Sequence, residues 1–426
     1  MSAGEPVQLT RLANGMRVLT APMPQMTSVA VGVWAGVGGR HETQEEHGIC
    51  HFLEHMCFKG TARRSARRIA AEIETAGGTI NAFTCEEAAC YYAKVAGGDF
   101  ERALDVLLDI YHHATFAASE VRRERNVIKE EIRMYLDMPA QLVYEDFGHV
   151  VWDGHPLGRP LMGTLESIER IGPERLRAFR DRYYTPGNTV VSVAGCIEHA
   201  QVVAAVRART AAWPARRCAV RTRLFRPRQR APRAAFRIRP IEQAHVVAGF
   251  LACSRTAPER FALRVMSAIL GETMSSRLNQ QIREQRGLAY SIQSSVTHYR
   301  ETGALQIGFS ADVENVPRVL ALALRACAGL AAHGPARGEL RLAKRYLCGH
   351  VALSLERTTD RMLWLGEHLI TTGEVLNTHT ILERYAAVSA RDVQRVAQMV
   401  ITNARLNAAL VSPALDEARV RAALHV

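Results

Sequence analysis

The stretch His51-Phe52-Leu53-Glu54-His55 has the residue types and the spacing for metal chemistry. It lies in a run, Glu46 to Phe58, with nothing to break a helix after Gly48. At about 100° per residue, His51 and His55 fall one turn apart on one face. Glu54 sits about 60° round from His51, within reach of whatever the two imidazoles hold. Two neutral imidazoles at this spacing form a zinc half-site, which a third protein ligand and a water would complete. The order H-x-x-E-H is the reverse of the commoner H-E-x-x-H zinc-hydrolase signature. The same spacing also arises where two surface histidines and a glutamate share a helix by accident, so the rest of the chain must decide.

The elements that would position these residues follow in order. Residues 7–36 alternate as strands around the hairpin turn Ala13-Asn14-Gly15-Met16. The motif helix runs to about Phe58, and a second helix runs from its N-cap Ser65 to about Thr75, stopped by Gly77-Gly78. Thr79–Thr84 and Ala88–Val95 read as strands, followed by helices over Phe100–Thr115 and Ser119–Leu136. In the last of these Val121, Ile128, Ile132 and Tyr135 form the apolar stripe, and Glu124 and Glu131, seven apart, share a face beside it. A strand at Thr189–Val193 ends this half.

The same order then recurs at a period of roughly 210 residues. Strands are expected near Ala234–Ile238, His245–Leu251, Ala289–Val296, Leu305–Ser310 and Leu406–Val411. Helices are expected over Pro258–Leu270, Ser275–Glu284, Val316–Ala331 and Arg337–Leu355, with closing helices at Asp360, Ile381 and Asp392. The expected fold is α+β, two homologous halves, each an antiparallel sheet backed by helices. The expected division is 1–212, an Arg-rich linker over 213–233, and 234–426. Only the first half carries H-x-x-E-H.

Composition narrows the class. A chain of 426 residues with 48% hydrophobic and 23% charged content is globular and long enough for two cores. No uninterrupted apolar run reaches the roughly 18 residues of a membrane span; Val319–Ala332 is interrupted by Arg325. The N-terminus, with Glu5, reads as neither a secretory signal nor a transit peptide, so a cytoplasmic location is expected. Nine cysteines with no C-x-x-C pair fit reduced thiols. Cys50 and Cys57 are turned about 100° or more from the nearer histidine and are expected to pack, not ligate.

The net charge is +12, carried almost wholly by arginine, since only Lys59, Lys94, Lys129 and Lys344 are lysines. The run Arg216–Arg239 holds ten arginines and no acid, with Phe225 and Phe236 as its only aromatics. It reads as a solvated linker and not as a nucleic-acid surface, because no nucleic-acid motif accompanies it.

Three stretches together carry a family resemblance: His51 to Thr61, Glu124 to Ile132, and Ser275 to Tyr290. On these the chain resembles the pitrilysin family of zinc peptidases, in the short form typified by the processing-peptidase β subunit and bacterial processing-protease-like proteins. The resemblance implies one zinc ion per chain, held by His51, His55 and Glu131. Spacing alone does not choose Glu131 over Glu130, which would point about 100° away. The resemblance further implies Glu54 as general base, Glu124 as the carboxylate that orients a ligand, and Tyr290 and Arg283 as oxyanion donor and substrate-carbonyl anchor.

It also implies that the edge strand Asn81-Ala82-Phe83-Thr84 takes up an extended peptide by strand addition. Ala89 departs from a common threonine and His47 from a common asparagine. By the same resemblance, a chain of this length pairs with itself or with a metal-free relative to enclose a chamber for peptides and unfolded segments. The net charge of +12 would repel basic substrates unless the cleft is locally acidic, and Glu45, Glu46, Glu86 and Glu87 are the acids that could make it so. The expected function is a zinc endopeptidase; the competing reading is a silent partner subunit on the same fold.

Overall fold

The computed structural model describes residues 7–426 except 217, 219, 221, 376 and 415, so Arg217 and Arg221 of the basic run and the N-terminal hexapeptide lie outside the described residues. Two compact units emerge, each discontinuous in sequence. Unit 1 comprises Met1–Ile132, Pro160–Arg223 and Leu353–Asn377; unit 2 comprises the remainder.

Unit 1 is built on a six-stranded sheet. Its strands are β1 (Gln8–Arg11), β2 (Arg17–Pro22), β3 (Ser28–Ala35), β4 (Thr79–Thr84), β5 (Ala89–Ala96) and β6 (Thr189–Gly195), in the spatial order β1-β2-β6-β3-β5-β4. The β1–β2 hairpin closes where the sequence places it. Gly15 takes φ +96°, a left-handed conformation that only glycine adopts freely, and the Asn14 side chain accepts from the Met16 amide. The α+β plan of two helix-backed halves is as expected, with the difference that the sheet is mixed: among otherwise antiparallel pairs, β2 and β6 run parallel. Their order in sequence, nearly 170 residues apart, leaves strand direction free of any hairpin.

The helices of this unit include α1 (Ile49–Cys57), α2 (Ala66–Glu74), α3 (Phe100–His113) and α4 (Ala118–Leu136), the last joining unit 1 through Ile132. Strands β2, β3 and β6 are buried along nearly their whole length, as strands covered on both faces must be. The helix Thr358–Thr372, from the far end of the chain, supplies one cover. It lies so close that a Cβ on Gly366 would meet Trp34 Nε1 at 2.1 Å, and one on Gly32 would meet Met362 Sδ at 2.3 Å. Gly366→Val is therefore expected to destabilise the fold by about 1–3 kcal/mol through overpacking, read as a lower urea midpoint.

Unit 2 repeats the plan with β7 (Arg233–Ile238), β8 (Ala244–Ala252), β9 (Ser291–His298), β10 (Gly303–Ala311) and β11 (Leu406–Ser412), ordered β7-β11-β8-β10-β9, with β7 and β11 parallel. The helix α5 (Pro139–Val151), early in the sequence, packs on this sheet through Val143, Phe147 and Val151. The compact units thus divide the chain differently from the continuous ranges 1–212 and 234–426. An amphipathic helix announces that one face will be buried, not which sheet buries it.

The basic run is partly structured. Arg237 makes a two-pronged pair with Asp146 at 2.6 and 2.8 Å, and Arg233 reaches Asp153 at 3.3 Å. Helix Val316–His333, with the turn before it, is long and apolar enough to cross a membrane by length and composition. Eight of its residues, from Val316 to Leu330, are buried inside unit 2.

Two histidines make stability depend on pH. Burial pushes His112, stacked on Trp213, down to about 4, with His113 and Arg180 adding to the shift. Burial likewise pushes His298 of unit 2 down to about 4. The folded state favours neutral rings, so this stabilisation is complete above pH 6.5, the ordinary histidine value. It is lost progressively as pH falls from 6.5 to 4, where the unfolded chain takes up protons first. The urea midpoint is expected to fall over that range, and His112→Gln should flatten the slope.

Candidate metal centre

The motif helix α1 begins after Gly48, which holds φ +91°. Ile49, Phe52, Leu53, Met56 and Cys57 turn inward, leaving His51, Glu54 and His55 on the remaining face. On α4, Val121, Glu124, Ile128 and Ile132 are buried. This burial directs the carboxylate row Glu124–Glu131 at the two imidazoles.

The geometry is tight. His51 Nε2 lies 3.3 Å and His55 Nε2 3.4 Å from the same oxygen, Glu131 Oε2. The three side chains each offer one ligand atom, and these atoms lie within 4.8 Å of one another. Three donors about 2.1 Å from a tetrahedral zinc sit roughly 3.4 Å apart. The spans to Glu131 match that value, and two nitrogens with one carboxylate oxygen are a donor set zinc accepts.

The second ring nitrogen of His55 is also engaged: Nδ1 is 2.9 Å from Glu124 Oε1. With Nδ1–H donating there, Nε2 is the nitrogen turned to the shared point and the one that can ligate once deprotonated. Lys59 Nζ reaches the other Glu124 oxygen at 2.7 Å. Lys59 escaped the sequence reading, although it stands one turn beyond His55. Glu54 Oε2 is buried, 4.0 Å from His51 Nδ1, and accepts no hydrogen bond among the described residues.

The electrostatics favour a cation at this point. Burial pulls the His55 imidazolium down, but the Glu124 and Glu131 carboxylates outweigh it and raise the group to about 9. Hydrogen bonds from His51 and His55 hold the Glu131 carboxyl well below the usual carboxylate range, against the opposing effect of burial. For Glu124 burial acts upward, and the His55 and Lys59 contacts reverse it. The two carboxylates thus draw positive charge to this point, which without an ion is a proton held on the His55 imidazole. Cys50 and Cys57 are buried, and burial pushes both thiols up, Cys57 to about 12, which keeps them protonated.

Among the described residues strand β4 pairs with β5 alone and is the open edge of the sheet. Asn81 is exposed there, while Ala82, Phe83 and Thr84 are half-buried. Phe83 sets its ring edge-on to Trp34, and the Thr84 hydroxyl lies 3.5 Å from the Cys50 carbonyl, so β4 ends beside α1. His47 bonds through Nε2 to the Pro160 carbonyl at 2.8 Å. Arg283 and Tyr290 belong to unit 2. The Arg283 guanidinium sits 5.8 Å from the Tyr290 ring centre, and Tyr290 is 84% exposed.

Three of the four acids that could make the cleft acidic have basic partners. Glu87 is buried against Arg40, Glu46 pairs with Arg182 at 2.8 Å, and Glu45 lies 3.8 Å from Arg175. These arginines, remote in sequence, neutralise three of the four acids. Glu42, which sequence reasoning passed over, is buried and accepts from the Gly48 and Cys50 amides at the start of α1. Its only signal in the sequence was an acid six residues ahead of a glycine that opens an apolar helix.

Comparison with known proteins gives the chain its relatives. Residues 17–165 match the family model described as insulinase (peptidase family M16), and residues 170–347 match the model described as the peptidase M16 inactive domain. The chain is 37% identical over 400 residues to the uncharacterized zinc protease YmxG of Bacillus subtilis, covering 94% of this chain and 97% of that one. It is 36% identical over 416 residues to an uncharacterized zinc protease of Streptomyces coelicolor, covering 96% and 90%. The fold also resembles a protease from Helicobacter pylori with a TM-score of 0.90 at 21% identity, covering 96% of this chain and 99% of that one. With this identity held over nearly its whole length, the chain belongs to peptidase family M16, the insulinase family.

Proposed function

We propose that this chain is a zinc-dependent endopeptidase acting on peptides or extended, unfolded segments, with one zinc held by His51, His55 and Glu131. The supporting observation is the convergence of two imidazole nitrogens on one Glu131 oxygen at 3.3 and 3.4 Å, with the unpartnered oxygen of Glu54 beside them. The inactive-domain match covers 170–347 and leaves this centre, within 17–165, untouched.

Zinc, when bound, supplies a Lewis acid that acidifies water and polarises a carbonyl. Glu54 takes the proton of the attacking water at its free Oε2 and returns it to the leaving amine, acting as base and then acid. Glu124, itself held ionised by Lys59, keeps His55 in the tautomer whose Nε2 can ligate. The open edge of β4 accepts an extended peptide as an added strand, Asn81 facing it from the rim. Arg283 and Tyr290 keep the substrate-anchoring and oxyanion roles that the family resemblance implies, and the openness of the phenol supports this.

Incubation of the purified protein with a quenched fluorescent peptide library tests the proposal. Cleavage should vanish with a zinc chelator and return with added zinc. A metal-replete protein that cuts nothing in the library would instead favour the silent-subunit reading. A homodimer is the proposed assembly, checked by light scattering on the eluting peak.

A further inference from the structure

The start of α1 is held in an unusual way. The first N–H groups of a helix have no partner within it, and a side chain at the cap normally satisfies some of them. Here the cap is Gly48, which has no side chain to offer. The carboxylate of Glu42 does the work from six residues upstream: Oε2 accepts from the Gly48 amide at 2.8 Å and Oε1 from the Cys50 amide at 2.9 Å. The amide between them, Ile49, donates to the Glu46 carbonyl at 2.8 Å. Three consecutive N–H groups are therefore fixed from the preceding loop, and the next residue is His51. Glu42 is 4% exposed, and a carboxylate at a helix N-terminus is also favoured by the helix dipole.

Glu42 is anchored in turn. Its segment bonds to the turn that follows β4: the Gly39 amide donates to the Cys85 carbonyl at 3.2 Å and the Arg40 amide to the Glu86 carbonyl at 3.0 Å. The Arg40 guanidinium pairs with Glu87 in the interior. The last residue of β4 reaches α1 from the other side, through Thr84 and the Cys50 carbonyl. Gly48 leaves no slack, since a Cβ there would meet the Met162 carbonyl oxygen at 2.7 Å.

We propose that Glu42 is a positioning residue: it locks the first turn of α1 to the end of β4, so that His51 and His55 hold a fixed offset from Glu131 and from the open strand edge. The proposal rests on the metal reading above. Its removal leaves two buried donors unsatisfied and lets the first turn fray. A fray there displaces His51, the next residue along.

The test measures zinc affinity by chelator competition and amide exchange in the metal-free protein, for the parent, Glu42→Ala and Glu42→Gln. Arg64→Ala, which removes a buried ion pair elsewhere in unit 1, serves as a control for general destabilisation. Glu42→Ala is expected to weaken zinc binding by about 10- to 100-fold, the usual effect of losing a group that orients ligands. The Gly48–His51 amides should exchange faster, while Arg64→Ala leaves both readings unchanged. Glu42→Gln keeps one acceptor and should fall between, which preserves the test if the alanine variant fails to fold. If Glu42→Ala or Glu42→Gln lowers thermal stability but binds zinc as tightly as the parent, the positioning role is overturned. If the parent binds no zinc, or binds it equally well as His51→Ala, the metal reading falls and the proposal with it.

Discussion

Glu54→Gln is expected to bind zinc as the parent does and to lose peptide hydrolysis by about 10²- to 10⁴-fold, the range a positioned general base contributes. The substitution keeps the shape of the side chain and removes only its basicity. The structure makes this a clean experiment, because Glu54 Oε2 accepts no hydrogen bond among the described residues and the amide breaks none at that atom. Thermal stability should therefore stay near the parent value while kcat collapses. Zinc content by atomic absorption, alongside the rate on one good peptide, separates loss of the base from loss of the metal. A variant that holds zinc and cuts at the parent rate would place the base elsewhere.

The second large effect concerns Glu131. Its oxygen Oε2 is the one point that both imidazoles address, so Glu131→Gln replaces an anionic ligand with a neutral amide at the crossing of the three donors. Zinc binding and hydrolysis should be lost together. A thermal scan reads this without any substrate: a ligand that binds only the folded state stabilises by about 2.7 kcal/mol at 100 times its dissociation constant. The parent should show an upward shift in melting temperature with zinc, and Glu131→Gln should show none. Glu130→Gln is the matched control, one residue away and on the exposed side of α4. An equal zinc-induced shift in Glu131→Gln and the parent would remove Glu131 from the coordination sphere.

A third expected result concerns a buried charge cluster of unit 1 that takes no part in the centre. Arg64 sits in the interior of unit 1 with Asp109 at 2.8 Å, Asp105 at 2.5 Å and Glu72 at 3.0 Å, and the Asp109 side chain is wholly buried. Arg64→Ala removes the buried cation and leaves Asp109 with Arg63 at 3.1 Å and the Thr61 hydroxyl at 2.8 Å, so the expected cost is about 1–3 kcal/mol, below the roughly 3–5 kcal/mol of a buried charge left with no partner. Urea unfolding measures it, and a loss below about 1 kcal/mol, the level of an exposed pair, would show that water reaches Asp109.

How legible all this was depended on the range of each interaction. Elements governed by neighbouring residues stood in the sequence: the Asn14-Gly15 hairpin, the Ser65 cap of α2, the motif helix and the long helix carrying Glu124 and Glu131. Elsewhere local reading was too regular. The sequence suggests ordinary helices through Leu270 and Glu284, whereas Ala268–Glu272 and Asn279–Glu284 widen into π turns. The parallel pairings β2–β6 and β7–β11 join strands nearly 170 residues apart, and no turn chemistry records such a meeting.

By itself the sequence determined that two imidazoles and a carboxylate share one turn of helix, because a period of 3.6 residues makes that a matter of spacing alone. It also determined that the plan occurs twice. Only the tertiary structure decided that Glu131 and not Glu130 meets those imidazoles, that Glu42 closes the first turn of α1, and that α5 and the helix Thr358–Thr372 each cover a sheet far from their own place in the chain. The reason is the same in each case. A helical face announces what will be buried or presented, but the partner is chosen by packing between segments that the order of residues does not bring together.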